Sequence, residues 1–179
     1  MVKNIKINLE AVESMLYFWQ AASEKENVSE TFFYDVADMK AYKLIYDNNF
    51  TSESVRKVLS AIKNRELLSG ASLEEKRFWN YNMWVMEDLE YTRLMADPVK
   101  QLNLTSMVEV LNKKAPNSNI EELNVIFAPL HVEDYYIKDN TLIINFFKVK
   151  PNDFGEGAFI NDKAVNEFIE EKLIQILNK

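Results

Sequence analysis

The sequence predicts an α+β fold: a mainly helical N-terminal two-thirds, a small antiparallel sheet built around a β-hairpin, and a closing C-terminal helix. Three observations carry this expectation. Apolar residues recur at helical spacing through most of residues 9–114, and the loop Ala115-Pro116-Asn117-Ser118-Asn119 then marks a change of character. After it come LNVIFAP and TLIINFF, short runs rich in Val, Ile and Phe of the kind that form strands. With 179 residues the chain suits one domain, its helical part spanning about 1–115 and its hairpin and closing helix about 120–179.

VKNIKIN alternates weakly and predicts a short first strand, with Asn8 as a cap for the helix LEAVESMLYFWQAAS. Leu9, Val12, Leu16 and Trp19 share one side of that helix, widened by Met15 and Phe18. A second helix is expected from near Ser29 through TFFYDVADMKAYKLIY, and a third after the caps Thr51 and Ser52, ended by Gly70. Ser72 with Glu75 forms a capping box. It opens a long helix of roughly Leu73 to Ala96, whose Phe78, Trp79, Met83, Met86 and Leu89 are expected to be packing residues rather than a cofactor box. Asp97-Pro98 predicts a helix restart, with an interruption near Asn103.

Leu123 to Pro129 predicts a buried strand. VEDYYI and TLIINFF bracket the turn-prone Lys138-Asp139-Asn140, which predicts a hairpin. In its second strand both faces are apolar, so helices are expected to cover the sheet. KPNDFGEGAFIN predicts a loop, and Asn161 a cap for the last helix, with Val165, Phe168, Ile169, Leu173, Ile176 and Leu177 on its buried side.

Composition excludes more than it assigns. Without cysteine there is no disulfide, thiol nucleophile, iron–sulfur cluster or cysteine zinc site, and no sign of an oxidising compartment. Lys3, Lys6, Asn8, Glu10 and Glu13 interrupt any signal-peptide pattern near the start, and no apolar run has the length of a membrane span. The expected setting is therefore cytoplasmic and away from membranes. The 21 basic residues set against 28 acidic ones, net −7, disfavour direct nucleic-acid binding.

Candidate sites are few. His131, the only histidine, stands beside Glu133 at i+2, on the same strand face, and Asp134. With no second histidine or cysteine, further metal ligands would have to be carboxylates, which suit magnesium, calcium or manganese better than zinc. The expected state of His131 is instead an exposed or hydrogen-bonded loop histidine. Glu167, Glu170 and Glu171 are expected to form a solvated helix face, as are Glu87, Asp88 and Glu90. Gly155 to Phe159 lacks the lysine and the spacing of a phosphate loop, and no G-x-S-x-G occurs. Tyr135 and Tyr136 form a candidate contact surface, since tyrosine offers large contact area at low entropic cost.

The order of parts, helices followed by LNVIFAP, the hairpin DYYIKDNTLIINFF, a glycine loop and an amphipathic helix, resembles the front portion of bacterial zincin-type peptidases. In that family two histidines of HExxH bind zinc and the glutamate between them is the general base. The nearest match here is NEFIE, with Glu167 at the general-base position but Asn166 and Glu170 replacing both histidines. The resemblance therefore implies a degenerate relative without the zinc ligands.

The leading expectation is a non-catalytic, bacterial-type domain that binds a protein partner or self-associates, with no cofactor. One alternative is a divalent-metal hydrolase using His131, Glu133 and some of Glu156, Glu167 and Glu170. Another is an acidic inhibitor that mimics nucleic acid, although the charges alternate in sign along most helices.

Overall fold

The weak alternation of NIKIN does form a strand, and the computed structural model, which describes residues 1–179, places it at one edge of a four-stranded sheet. This sheet comprises β1 (Asn4–Asn8), β2 (Glu122–Ala128), β3 (Tyr135–Lys138) and β4 (Thr141–Asn145), in the order β1-β2-β4-β3. β3 and β4 make the expected antiparallel hairpin, with Tyr136 opposite Ile143 and Asp139 at φ 54° in the turn. The other two pairings are parallel, Ile7 opposite Val125 and Val125 opposite Leu142. Parallel strands need cover on both faces. β4, an inner strand, is buried at all five positions.

The parallel connection from β1 to β2 is made by the helical region. It holds α1 (Glu10–Ser23), α2 (Glu30–Ala37), α3 (Lys40–Lys43), α4 (Ser52–Asn64), α5 (Leu73–Met86), α6 (Leu89–Lys100) and α7 (Met107–Lys114). α1 and α3 pack against β2, and α1 and α4 against α5. Trp19 of α1 stacks on Phe146, ring centroids 6.0 Å apart, in the 3₁₀ turn 146–148 that follows β4. Its indole N–H donates to Asn82 Oδ1 at 2.8 Å, so the largest buried side chain of the core keeps its polar atom paired. No helix is long and apolar enough to cross a membrane.

The segment 150–164 is not only a loop. It folds as a three-stranded antiparallel sheet, β5 (Lys150–Pro151), β6 (Ala158–Ile160) and β7 (Lys163–Ala164), before α8 (Val165–Leu177) closes the chain against α7 and this small sheet.

Several helix boundaries differ from expectation for identifiable reasons. The second helix breaks at Asp38-Met39, where Met39 is extended (ψ 145°) and the Tyr46 hydroxyl donates to the Ala37 carbonyl. α4 ends at Asn64 because Arg65 adopts the left-handed conformation (φ 56°), five residues before Gly70. The long helix expected over 73–96 breaks at Glu87-Asp88, where Asp88 Oδ1 accepts from Tyr91 N at 3.0 Å and starts α6. Pro98 lies inside α6 rather than opening a new helix. Leu9 and not Asn8 occupies the cap position of α1, with Asn8 Oδ1 accepting from Glu10 N at 2.9 Å. Asn161 sits in the turn after β6 at φ 49°, and Ala164 precedes α8. The Ser72–Glu75 capping box is present, with both hydrogen bonds near 3 Å.

Candidate functional site

The loop Pro129–Asp134, which joins β2 to β3, carries His131 and has no strand partner for its backbone. Buried backbone groups need partners, and a single side chain supplies most of them. Asn145, fully buried at the end of β4, accepts at Oδ1 from Leu130 N (3.0 Å) and Phe147 N (3.1 Å). Its Nδ2 donates to the carbonyls of Val132 (3.1 Å) and Glu133 (3.2 Å), and its backbone N–H donates to Asp134 O at 2.9 Å. From the other side, the Tyr42 hydroxyl of α3 donates to Pro129 O at 2.9 Å. Burial holds that phenol well above the usual tyrosine range, so it stays a donor.

This clamp drives His131 inward. The imidazole is 2% exposed and stacks on Phe50 with centroids 3.9 Å apart and planes 14° from parallel. Its Nδ1 has no hydrogen-bond partner. The expected exposed or hydrogen-bonded histidine is thus corrected on both counts. Burial lowers its pKa to about 4, against the pull of the Asp47 and Glu74 carboxylates and with the help of Arg77. At neutral pH the ring is uncharged. A general base needs a pKa near the working pH and an orienting hydrogen bond, and His131 has neither.

The other predicted residues do not gather around it. Residues 131–134 are bends rather than strand, and the Glu133 side chain is exposed. Glu156 is exposed in the glycine loop and lines, with Asn166, an open groove of about 440 Å³ between the end of α6 and the start of α8. Glu167 is exposed in the first turn of α8, while Glu170 is held by Lys114 of α7 at 2.6 Å. Nowhere do three or more His, Cys, Asp or Glu side chains converge in a way that could hold a metal ion. The carboxylate-rich metal site around His131 does not assemble.

Tyr135 and Tyr136 point to opposite faces of β3, as strand geometry requires. Tyr135 packs edge-to-face on Phe168 of α8 at 5.7 Å, with Lys172 Nζ 4.4 Å from its ring centroid. Burial and the Asp47 and Glu133 carboxylates raise the pKa of Tyr136. The pair is not one contact patch. Cations also interleave with the acidic surface: Lys3 pairs with Glu121, Lys6 with Glu122 and Lys113 with Glu109, at 2.9 to 3.1 Å.

No protein-family model, curated protein or solved structure matches this chain.

A different surface has the features of a binding site. The residues Trp79, Met83 and Met86 repeat along one side of α5 and, with Ala22, Ala61, Ile62, Arg65, Glu66 and Leu67, line a groove of about 240 Å³. Seven of these nine residues are apolar, a larger share than in the grooves at the ends of α6 and α8, beside α2, at the α5–α6 elbow or between α1 and α6. Leu67 stands on its rim 92% exposed. The indole N–H of Trp79, one of the lining residues, is shielded from solvent and has no acceptor. The spacing 79, 83, 86 is visible in the sequence as a core stripe. What it does not reveal is that α4 stops at Arg65 and leaves the stripe half uncovered.

Proposed function

We propose that the protein is a non-catalytic binding domain that takes an apolar side chain of a partner protein segment into the groove formed by α5 and the end of α4. The observation that carries this is the groove itself: an apolar lining with two flexible methionines, an exposed leucine at its edge and a tryptophan whose buried indole donor is unpaired. Methionines let a surface remould around different apolar guests. An exposed apolar groove of this kind marks an interaction site more often than chance packing does.

Charge favours a foreign partner over a second copy. On the groove lining Arg65 and Glu66 offset each other, but the chain as a whole carries net charge −7, so a segment with basic residues is attracted where an identical acidic chain is repelled. Lysines paired with Glu121, Glu122 and Glu109 break up the contiguous acidic face that a nucleic-acid mimic requires. The zincin-like order of elements adds no activity to this function, because Asn166 and Glu170 stand in the place of the two histidines.

The test is selection of peptides from a displayed random library against the full chain, followed by mapping of amide shifts on a bound peptide. The expected result is a family of peptides with a large apolar anchor and a neighbouring basic residue, shifting residues 61–67 and 79–86. Peptides that map elsewhere, or a chain that dimerises through this groove and excludes them, would overturn the proposal.

A further inference from the structure

Around the C-terminal end of α5 a second site opens, built differently. The elbow between α5 and α6 is tied tightly: the single hydroxyl proton of Thr92 is shared between Val85 O at 2.8 Å and Asp88 O at 2.9 Å, and Asp88 caps α6 by accepting from Tyr91 N. On this rigid corner Trp84, 48% exposed, meets Tyr91 with ring centroids 6.3 Å apart and planes at 73°. Trp84, Glu87, Asp88 and Tyr91 line a cavity of about 260 Å³ into which no basic residue reaches.

The electrostatics of that corner are one-sided. Aromatic faces are negative and attract cations, most strongly for tryptophan. The two carboxylates add to this, and neither Glu87 nor Asp88 takes part in any of the ion pairs of the molecule. Elsewhere the protein supplies such rings with a cation of its own: Arg56 over Tyr34, Lys148 over Tyr81 and Lys172 over Tyr135, at 4.4 to 5.0 Å. No cation of the chain covers Trp84 or Tyr91.

We infer that the Trp84–Tyr91 corner is a binding site for an alkylammonium group, supplied by a lysine side chain of the partner and favoured when that lysine is methylated. Methylation makes the ammonium larger and less hydrated, which suits an exposed aromatic face beside carboxylates better than a free amine. The cavity has room for such a head group. Trp84 and Glu87 each follow a groove methionine by one residue, which puts the two sites about 100° apart around the same end of α5. An apolar anchor in the groove therefore leaves a nearby lysine within reach of the corner. The inference rests on the binding function only for the origin of the lysine; the cation site stands on the elbow alone.

The experiment titrates the full chain with N-acetyl-trimethyllysine amide, read by tryptophan fluorescence and by amide shifts of residues 84–92. Saturable binding is expected at millimolar concentration for so small a probe, weakened about tenfold by Trp84→Ala and by the pair Glu87→Gln with Asp88→Asn. Asparagine still caps a helix, so the second variant keeps the elbow. Trp84 is half exposed, so its loss leaves the core intact, which circular dichroism checks. The uncharged analogue with a tert-butyl head group is expected to bind at least tenfold more weakly. Equal binding of the charged and uncharged probes, or shifts centred away from Trp84 and Tyr91, overturns the inference. The probe carries no apolar anchor for the groove, so its binding and that of groove peptides are measured independently, and failure of the groove and failure of the corner are read separately.

Discussion

Replacing Asn145 with alanine should cost a large part of the stability of the molecule, because one side chain serves four backbone groups. Two of these, Leu130 N–H and Phe147 N–H, are buried and would be left without an acceptor. Each orphaned buried donor costs about 1–3 kcal/mol. The Val132 and Glu133 carbonyls lie nearer the surface and can turn to water, so they add little. The sum is about 2–6 kcal/mol, set against a total of about 5–15 kcal/mol for a domain of ordinary stability. Equilibrium urea unfolding followed by tryptophan fluorescence reads this loss directly. Asn145→Asp supplies a comparison: it keeps an acceptor for both N–H groups but aims a carboxylate at two carbonyls, so its loss should shrink as pH falls and the carboxyl protonates. A concurrent NMR titration should find the His131 pKa moving from about 4 toward 6.5 as the loop opens. A loss below about 1 kcal/mol with an unmoved His131 would refute the argument that Asn145 holds the loop.

His131 itself makes stability depend on pH. Its folded pKa of about 4 lies below the ordinary 6.5, so the unfolded chain binds the proton more readily. The stabilisation is complete above pH 6.5, declines as pH falls through the window down to 4 and is gone below it, about 2–3 kcal/mol in all. His131→Phe, which preserves the stack on Phe50, should flatten that window in acid-unfolding curves, and an unchanged slope would count against it. Asn82→Ala strips the acceptor from the Trp19 indole and should lower stability by about 2 kcal/mol in thermal unfolding, whereas Asn82→Gln should recover part of it. Arg65→Gly relieves the left-handed residue that ends α4 and should raise stability by about 0.5–1 kcal/mol, a gain measurable by urea titration; a loss would mean that the weak Arg65 contact to Ala22 O matters more than the backbone.

The parts of the fold that local pattern governs were legible. The Ser72–Glu75 box, the loop at Ala115–Asn119, the hairpin turn at Asp139 and the amphipathic last helix all follow from residues within a few positions of one another. The parallel pairing of β1 with β2 was not, because Ile7 and Val125 are separated by the whole helical region. Still, TLIINFF held a hint: continuous apolar runs covered on both faces are typical of parallel strands. Helix breaks at Met39, Arg65 and Glu87 were hidden for another reason. Apolar periodicity runs straight through them, and only tertiary hydrogen bonds, such as Thr92 to Val85 O, show where the chain turns.

At the candidate sites, residue type misled where burial decided. His131 with Glu133 and Asp134 looked polar and therefore exposed, but Asn145 and Tyr42 fold the loop backbone so that the imidazole turns onto Phe50. Trp79, Met83 and Met86 looked like core. They are half core, because the early end of α4 leaves their outer side open.

The most direct measurement is a calorimetric titration of a selected groove-binding peptide into the wild-type chain and into Met83→Asp. If the groove is the binding surface, the wild type binds with a negative heat-capacity change from apolar burial, and the aspartate weakens binding at least about tenfold, or 1.4 kcal/mol, with little change in melting temperature. Equal affinity of the two proteins for that peptide would contradict the account, since it would place the partner somewhere other than the end of α5.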